Sequence, residues 1–266
     1  MNSLPDAHEM SAPPRDLWRP LRYAWRVPLL LLHLGVGLPL TLIAINPLTA
    51  RWRVAGERVD HKAIRAWSSV MMRVFGLRVR RYGTPLPGAA LFVANHVSWM
   101  DITLMHSARA VGFVAKSEIS RWPLIGWLAR RGGTIYHHRG SNESLTGVLH
   151  QMVQRLQSGE GVGVFPEGGT TGGDTVRVFH ARIFQAAVVA EAPVQPVALR
   201  YGEGGSAQTV IAFAPRENFL QNFLRVLGEP ARVAEVHFLE PVPPSAEGRR
   251  RIAETSRERI VIAMQS

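Results

Sequence analysis

The stretch Ala89-Ala-Leu-Phe-Val-Ala-Asn-His-Val-Ser-Trp-Met-Asp101 decides the reading of this 266-residue chain. Ala89 to Ala94 is an apolar run of strand length, and polar residues begin where a buried strand would end. His96 then falls at the carboxyl end of that strand, which is where α/β sheets place their sites. Asp101 follows five residues later with Ser98 between. A turn leading into a helix folds that distance back, so the carboxylate reaches an imidazole nitrogen. Such a pair makes a general base: the carboxylate fixes the tautomer and stabilises the imidazolium formed when the other nitrogen takes a proton. A helix N-terminus capped by Asn95 or Ser98, with Asp101 serving the dipole, accounts for the same residues without any chemistry.

About seventy residues on, Phe165-Pro-Glu-Gly-Gly-Thr-Thr171 follows a second apolar run, Val162 to Phe165. Gly168, Gly169, Gly172 and Gly173 let the backbone approach a ligand closely, and their N–H groups suit an anion or an oxyanion. The turn lacks the Gly-Lys-Ser/Thr of a P-loop. Ser98 has no Gly-x-Ser-x-Gly surroundings and the chain has no Cys, so neither a serine hydrolase nor a thiol enzyme has its nucleophile. His137 and His138 are adjacent in an expected strand and face opposite ways, with no carboxylate beside them. No metal site is expected there.

Strands are expected at Leu77 to Arg81, Ala90 to Ala94, Gly112 to Ala115, Thr134 to His137, Val162 to Phe165, Val194 to Leu199, Thr209 to Ala214 and Ala234 to Leu239. Helical spacing marks Leu145 to Leu156, Asn218 to Leu227 and Arg249 to Met264. This alternation predicts an α/β fold, a central, largely parallel sheet flanked by helices. The divisions expected are a disordered tail over 1–14, a membrane-associated helical hairpin over 15–76 and one catalytic domain over 77–266.

The hairpin rests on Val27 to Ile45, 19 residues without Asp, Glu, Lys or Arg, near the lower limit for a helical span. Pro28, His33 and Pro39 weaken a straight crossing, and Arg15, Arg19, Arg22 and Arg26 precede the run as Arg51, Arg53, Arg58, Lys62 and Arg65 follow it. With both flanks basic, the positive-inside rule selects no orientation. Ile64, Trp67, Val70, Met71, Val74 and Phe75 recur at helical spacing and give a second helix. A hairpin entering one leaflet or lying in the interface suits both flanks. The alternatives are a single span, and a second helix that packs on the soluble core.

The net charge is +11, carried by Arg apart from Lys62 and Lys116. Arg suits bidentate phosphate contacts, so an anionic membrane surface and acidic substrates are natural partners. Nucleic acid is not expected, because no face interleaves aromatic and basic residues. A basic, non-catalytic lipid-binding protein would explain the charge and the apolar run but not the His-Asp pair beside a Pro-Glu-Gly turn.

Four blocks in order carry a family resemblance: His96-x4-Asp101, Gly133-Thr-Ile-Tyr-His-His-Arg139, Phe165-Pro-Glu-Gly168 and Ala192-Pro-Val-Gln-Pro196. With Lys116-Ser-Glu-Ile119 and Trp122-Pro-Leu-Ile-Gly126, they resemble the glycerolipid acyltransferases that include 1-acylglycerol-3-phosphate acyltransferases, over about Ala89 to Leu199. The resemblance implies a membrane-associated O-acyltransferase with His96 as general base and Asp101 its partner. It implies an acyl-CoA or acyl-acyl carrier protein donor, a lysolipid acceptor, no cofactor, and a place on the cytoplasmic face of the inner membrane. Arg139 would belong to the acceptor's phosphate site, Glu167 would help bind its glycerol and Gly168 would shape the pocket. Gly169, Thr170 and Lys116 complete the implied substrate-binding set. The leading acceptor is 1-acyl-sn-glycerol-3-phosphate, giving phosphatidate. The chain departs from the usual Phe-Pro-Glu-Gly-Thr-Arg-Ser by an extra Gly and a Thr-Thr, losing the Arg, and has Phe179-His180-Ala181-Arg182 where many members have Phe-Lys-Lys-Gly. That loss is associated with relatives that acylate lyso-ornithine lipid, the alternative acceptor.

Overall fold

A computed structural model describes residues 16–46, 49–121, 125–138, 142–244 and 248–266. The expected tail over 1–14 lies outside the described residues. The helices are α1 (Arg19–Ala44), α2 (Val59–Val74), α3 (Met100–Ala108), α4 (Ile125–Arg131), α5 (Asn142–Gln157), α6 (Gln185–Val189), α7 (Gln208–Ile211), α8 (Phe219–Leu227) and α9 (Gly248–Gln265). The seven strands of the main sheet are β1 (Leu77–Tyr82), β2 (Leu91–Ala94), β3 (Gly112–Lys116), β4 (Ile135–His137), β5 (Val162–Val164), β6 (Val194–Tyr201) and β7 (Arg232–Phe238).

Their spatial order is β1-β7-β6-β2-β5-β3-β4. Every neighbouring pair is parallel except β6 with β7. Five adjacent strands, β6 through β4, therefore run one way, and their carboxyl ends meet along one edge. β2 is apolar without alternation, and β2 and β6 are both buried along their lengths, as expected of strands covered on both faces.

One expected strand is absent. Thr209 to Ala214 forms the short helix α7 and an irregular exit rather than a strand. The reason lies in Ala207 and Gln208. Ala207 N–H donates to the Tyr201 carbonyl (2.7 Å), Gln208 Oε1 accepts from Tyr201 N–H (2.7 Å) and Gln208 Nε2 donates to the Leu199 carbonyl (3.2 Å). These bonds fold the segment back over the end of β6, whose free side β7 already occupies. The β-branched Thr-Val-Ile has strand propensity, but tertiary context overrides it.

α1 carries its helix through two prolines. A π-turn over His33–Gly37 lets the Leu38 N–H reach back to the His33 carbonyl, absorbing the bond that Pro39 cannot make. The 26 residues are long and apolar enough to cross a membrane. Burial is one-sided: Arg26, Leu30, His33 and Leu38 face the protein, while Leu31, Leu40 and Ile43 are 63, 62 and 71% exposed. α2 returns antiparallel to α1 after a two-stranded ribbon, Arg53–Val54 with Glu57–Arg58, and His33 stacks on Trp67 at 5.1 Å. α2 packs on α3, and Met71, Met72, Val74 and Phe75 join the same buried cluster as Phe92 and Met100. The second arm of the hairpin is thus part of the core, and the extended apolar exposure belongs to α1.

The approach to α8 is held by charge. Glu217 accepts from Arg225 Nε (2.7 Å) and Nη2 (2.8 Å), from Asn222 Nδ2 (3.0 Å) and from Ala214 N–H (2.8 Å). The Arg225 hydrogen bond, foremost, pulls the Glu217 carboxyl down to about 2 from its usual 4.5. A depressed carboxyl contributes stability that is full above its unfolded value and is lost as pH falls toward its folded one. Glu217→Gln is therefore expected to flatten the decline of the urea midpoint between pH 4.5 and about 2; an unchanged slope would show that other carboxylates carry the acid transition.

Candidate active site

His96 lies two residues past the end of β2, the second of the five strands along the parallel edge. Its backbone is held on both sides: the N–H donates to Glu167 Oε1 (2.8 Å) and the carbonyl accepts from Thr171 N–H (2.8 Å). Asn95 is turned away from the site, its amide bridging to β6 by donating to the Leu199 carbonyl (2.9 Å) and accepting the Leu199 N–H (2.8 Å). Neither Asn95 nor Ser98 caps α3; Trp99 occupies that position without a side-chain cap. Ser98 is fully buried, its hydroxyl toward the Met100 amide.

Asp101 closes the turn. Its Oδ2 lies 2.8 Å from His96 Nδ1 and also accepts the N–H groups of Val97 (2.7 Å) and Ser98 (2.9 Å). Its Oδ1 accepts the Tyr201 hydroxyl at 2.7 Å. The carboxylate is fully buried, so four hydrogen bonds replace the water it has lost. Burial, with the adjacent Asp101 charge, pushes the Tyr201 phenol well above its ordinary value, so it remains a donor. With Nδ1 donating to Asp101, Nε2 carries the lone pair. Nε2 has no hydrogen-bond partner among the described residues, and the side chain is 17% exposed.

The ring is also fixed in plane. Phe165 stacks on it at 4.0 Å between centroids, tilted by 14°, and Phe113 stacks on Phe165 at 5.3 Å, tilted by 8°. Two neighbouring parallel strands, β5 and β3, thus stack Phe165 and Phe113 on His96. Gly163 in β5 makes room for this pile, since a Cβ there would sit 2.6 Å from Phe113 Cε1. Gly163→Ala is expected to displace Phe113 and so the pile, costing about 1–3 kcal/mol of stability as an overpacked core does. It should also lower turnover; thermal melts and rates on the same preparation check both.

Glu167 meets His96 through the backbone. Its Oε1 and Oε2 accept from the His96 and Arg177 N–H groups at 2.8 and 2.9 Å, and the residue is 4% exposed. Burial raises its carboxyl above the usual range, against those two bonds. Gly168 has φ +75°, and a side chain there would press on His180. The N–H groups of Gly169 and Thr170 have no hydrogen-bond partner among the described residues, whereas the buried Thr171 is spent on the His96 carbonyl. Lys116 ends β3 at the same edge and is exposed. Arg139, with Gly140 and Ser141, lies outside the described residues. Among those residues no group of three or more His, Asp and Glu side chains is placed to hold a metal.

Of the site residues expected from sequence, His96, Asp101, Glu167 and the turn after it come together here. Tyr201 was not anticipated. It sits 100 residues from Asp101, and no local motif surrounds it; only the adjacency of β6 and β2 brings it in.

Comparison with known proteins extends this picture. The family model described as Acyltransferase matches residues 78–200. A lyso-ornithine lipid O-acyltransferase of Pseudomonas aeruginosa is 31% identical over 233 residues, covering 85% of this chain and 90% of that protein. A 1-acyl-sn-glycerol-3-phosphate acyltransferase of Neisseria gonorrhoeae is 39% identical over 126 residues, 47% of this chain and 49% of its own. The crystal structure of the 1-acyl-sn-glycerophosphate (LPA) acyltransferase PlsC from Thermotoga maritima shares the fold, with TM-score 0.67 and 21% identity over 92% of this chain and 98% of that one. Sheet and sequence together define an enzyme that transfers acyl groups. The chain belongs to the acyltransferase family, of the lysophospholipid and glycerolipid type.

Proposed function

We propose that this enzyme moves an acyl chain from a thioester, acyl-CoA or acyl-acyl carrier protein, to the free hydroxyl of a lysolipid, with His96 as general base. The observation that carries this reading is the Nδ1–Asp101 bond of 2.8 Å with Nε2 left unpartnered at the parallel strand edge. In the transfer, the acceptor hydroxyl gives its proton to Nε2 as its oxygen attacks the thioester carbonyl. Asp101 offsets the imidazolium charge. The free Gly169 and Thr170 N–H groups are suited to the tetrahedral oxyanion, where fixed donors are worth most. The C–S bond then breaks, and the thiolate takes the proton back from His96. No acyl-enzyme is formed.

For the acceptor we favour lyso-ornithine lipid. The relative matched along nearly its whole length carries that name, and the turn after Glu167 holds Thr171 on the His96 carbonyl where a phosphate-binding Arg is usual. An ornithine headgroup presents a carboxylate and an ammonium and needs no phosphate clamp. The second reading, 1-acyl-sn-glycerol-3-phosphate with Arg139 at its phosphate, is favoured by the 39% identity over 126 residues. Glu167 then supports the turn first, since a glycerol contact would compete with the two backbone bonds on its carboxylate. The one-sided exposure of α1 supports a helix lying along the inner membrane's cytoplasmic surface rather than one surrounded by lipid.

The experiment is a side-by-side assay of the purified protein with both acceptors and an acyl-CoA. Diacylated ornithine lipid as the main product is expected. A clear preference for lysophosphatidate would reverse the acceptor assignment, and thiol release with water alone would make the protein a hydrolase.

A further inference from the structure

One face of α1 is not apolar. Arg19, Arg22, Tyr23 and Arg26 recur at i, i+3, i+4 and i+7 and converge on the carboxyl end of α8, some two hundred residues away. Arg26, 1% exposed, donates from Nη1 to the Leu227 carbonyl (2.8 Å) and the Glu229 carbonyl (2.7 Å). Arg22 Nε donates to the Gly228 carbonyl (2.6 Å), Tyr23 hydroxyl to the Leu224 carbonyl (2.7 Å), and Arg19 pairs with Glu229 at 2.5 Å. Gly76, at φ +75°, leaves the space that the Arg26 guanidinium fills. The terminal carbonyls of a helix need partners and favour cations, so α1 supplies the cap of α8 from outside.

α8 in turn holds the residue that opens α3. Asn222, fully buried, accepts the Trp99 indole N–H on Oδ1 (2.9 Å). Phe223 stacks on the same indole at 5.3 Å, and Phe219 and Phe75 meet it edge-on. Trp99 stands two residues before Asp101 and three after His96. The contacts thus run from α1 through α8 to Trp99, and the backbone of the turn joins Trp99 to His96 and Asp101.

We propose that α1 is a positioning strut for the catalytic turn as well as an anchor: its arginine face clamps α8, α8 fixes Trp99, and Trp99 holds Asp101 against His96. Arg26 and Asn222 are its positioning residues, and both are buried away from the surface. Loosening the clamp lets the turn sample arrangements in which the Asp101–His96 bond is broken. The proposal rests on the acyl-transfer reading for its kinetic consequence but not for its structural one.

The test uses the full chain in mixed phosphatidylglycerol and phosphatidylethanolamine vesicles. Arg26→Met, which removes the donors and keeps the bulk, is expected to lower kcat at least about tenfold while KM for both substrates stays within about twofold. Vesicle cosedimentation should be unchanged, because the exposed apolar face is intact. Asn222→Leu is expected to act the same way, and the double variant should be no slower than the worse single one, as for residues on one path. Hydrogen exchange supplies the readout independent of turnover: the Val97 and Ser98 amides, bonded to Asp101, should exchange faster in Arg26→Met while the β5 and β6 amides keep their protection. Arg22→Met, which removes one carbonyl bond to α8 together with the Arg22–Asp16 ion pair, gives a milder variant should Arg26→Met melt below assay temperature. Unchanged kcat and exchange, multiplicative effects in the double variant, or a defect confined to vesicle binding would each overturn the strut. Faster exchange at Val97 and Ser98 in a protein that transfers no acyl group would keep the strut and sink the functional reading instead.

Discussion

Replacing His96 by alanine is expected to abolish measurable acyl transfer while lysolipid binding persists. A positioned base contributes about 10²- to 10⁴-fold, and in this site no neighbour stands ready to replace it. Ser98 is fully buried and Glu167 is committed to two backbone N–H groups. The fold should tolerate the change, because His96 holds its place chiefly through its backbone, bonded to Glu167 and Thr171. Its ring is partly exposed, so the cavity opens to solvent rather than into the core. Initial rates and equilibrium binding of a lysolipid on the same preparation measure the two halves separately. Near-normal transfer by His96→Ala would remove the base assignment.

Asp101→Asn is expected to be nearly as damaging, for a different reason. Oδ2 is an acceptor for three groups at once, His96 Nδ1 and the N–H groups of Val97 and Ser98, and Oδ1 accepts a phenol. An amide presents one oxygen and one NH2, so the NH2 faces either the Tyr201 hydroxyl, which must then turn to accept, or His96 Nδ1 together with the Val97 and Ser98 N–H groups. If the NH2 turns to the imidazole, Nδ1 becomes the acceptor and the ring proton moves to Nε2, where a base needs its lone pair. The same substitution in the serine-protease triad costs about 10⁴-fold through the wrong tautomer. A loss of that order is expected here, accompanied by a lower melting temperature because a buried network is left unsatisfied. A fall in kcat with KM retained would mark loss of the base; a rise in KM alone would mean that Asp101 serves only the substrate pocket.

The parts of the site legible in the sequence were those whose contacts are local. His96 and Asp101 are five residues apart, and a strand end followed by a helix start leaves few ways to join them. The Pro-Glu-Gly turn was legible from its glycines, but the direction of the Glu167 side chain was not. It depends on the His96 and Arg177 amides, which only the adjacency of β2 and β5 brings within reach. Tyr201 was illegible for the same reason. The parallel order of the strands followed from alternation, whereas Thr209 to Ala214 misled because its β-branched side chains speak for a strand and its fate was set by Gln208 bonding backward to β6. The two faces of α1 were half visible: the apolar one from composition, the arginine one only once α8 supplied the carbonyls it answers.

The acceptor question and the mechanism separate cleanly. On the proposed reading either lysolipid would use the same base, and the departure from the usual family sequence stands in the turn after Glu167 rather than at His96.

The most direct measurement is thiol release from acyl-CoA by the purified enzyme, followed from the first turnover, with and without lysolipid. Direct transfer predicts no thiol above background from acyl-CoA alone and, once lysolipid is added, one thiol for each diacylated product. A burst of thiol equal to the enzyme concentration in the absence of lysolipid would reveal an acyl-enzyme and contradict the account.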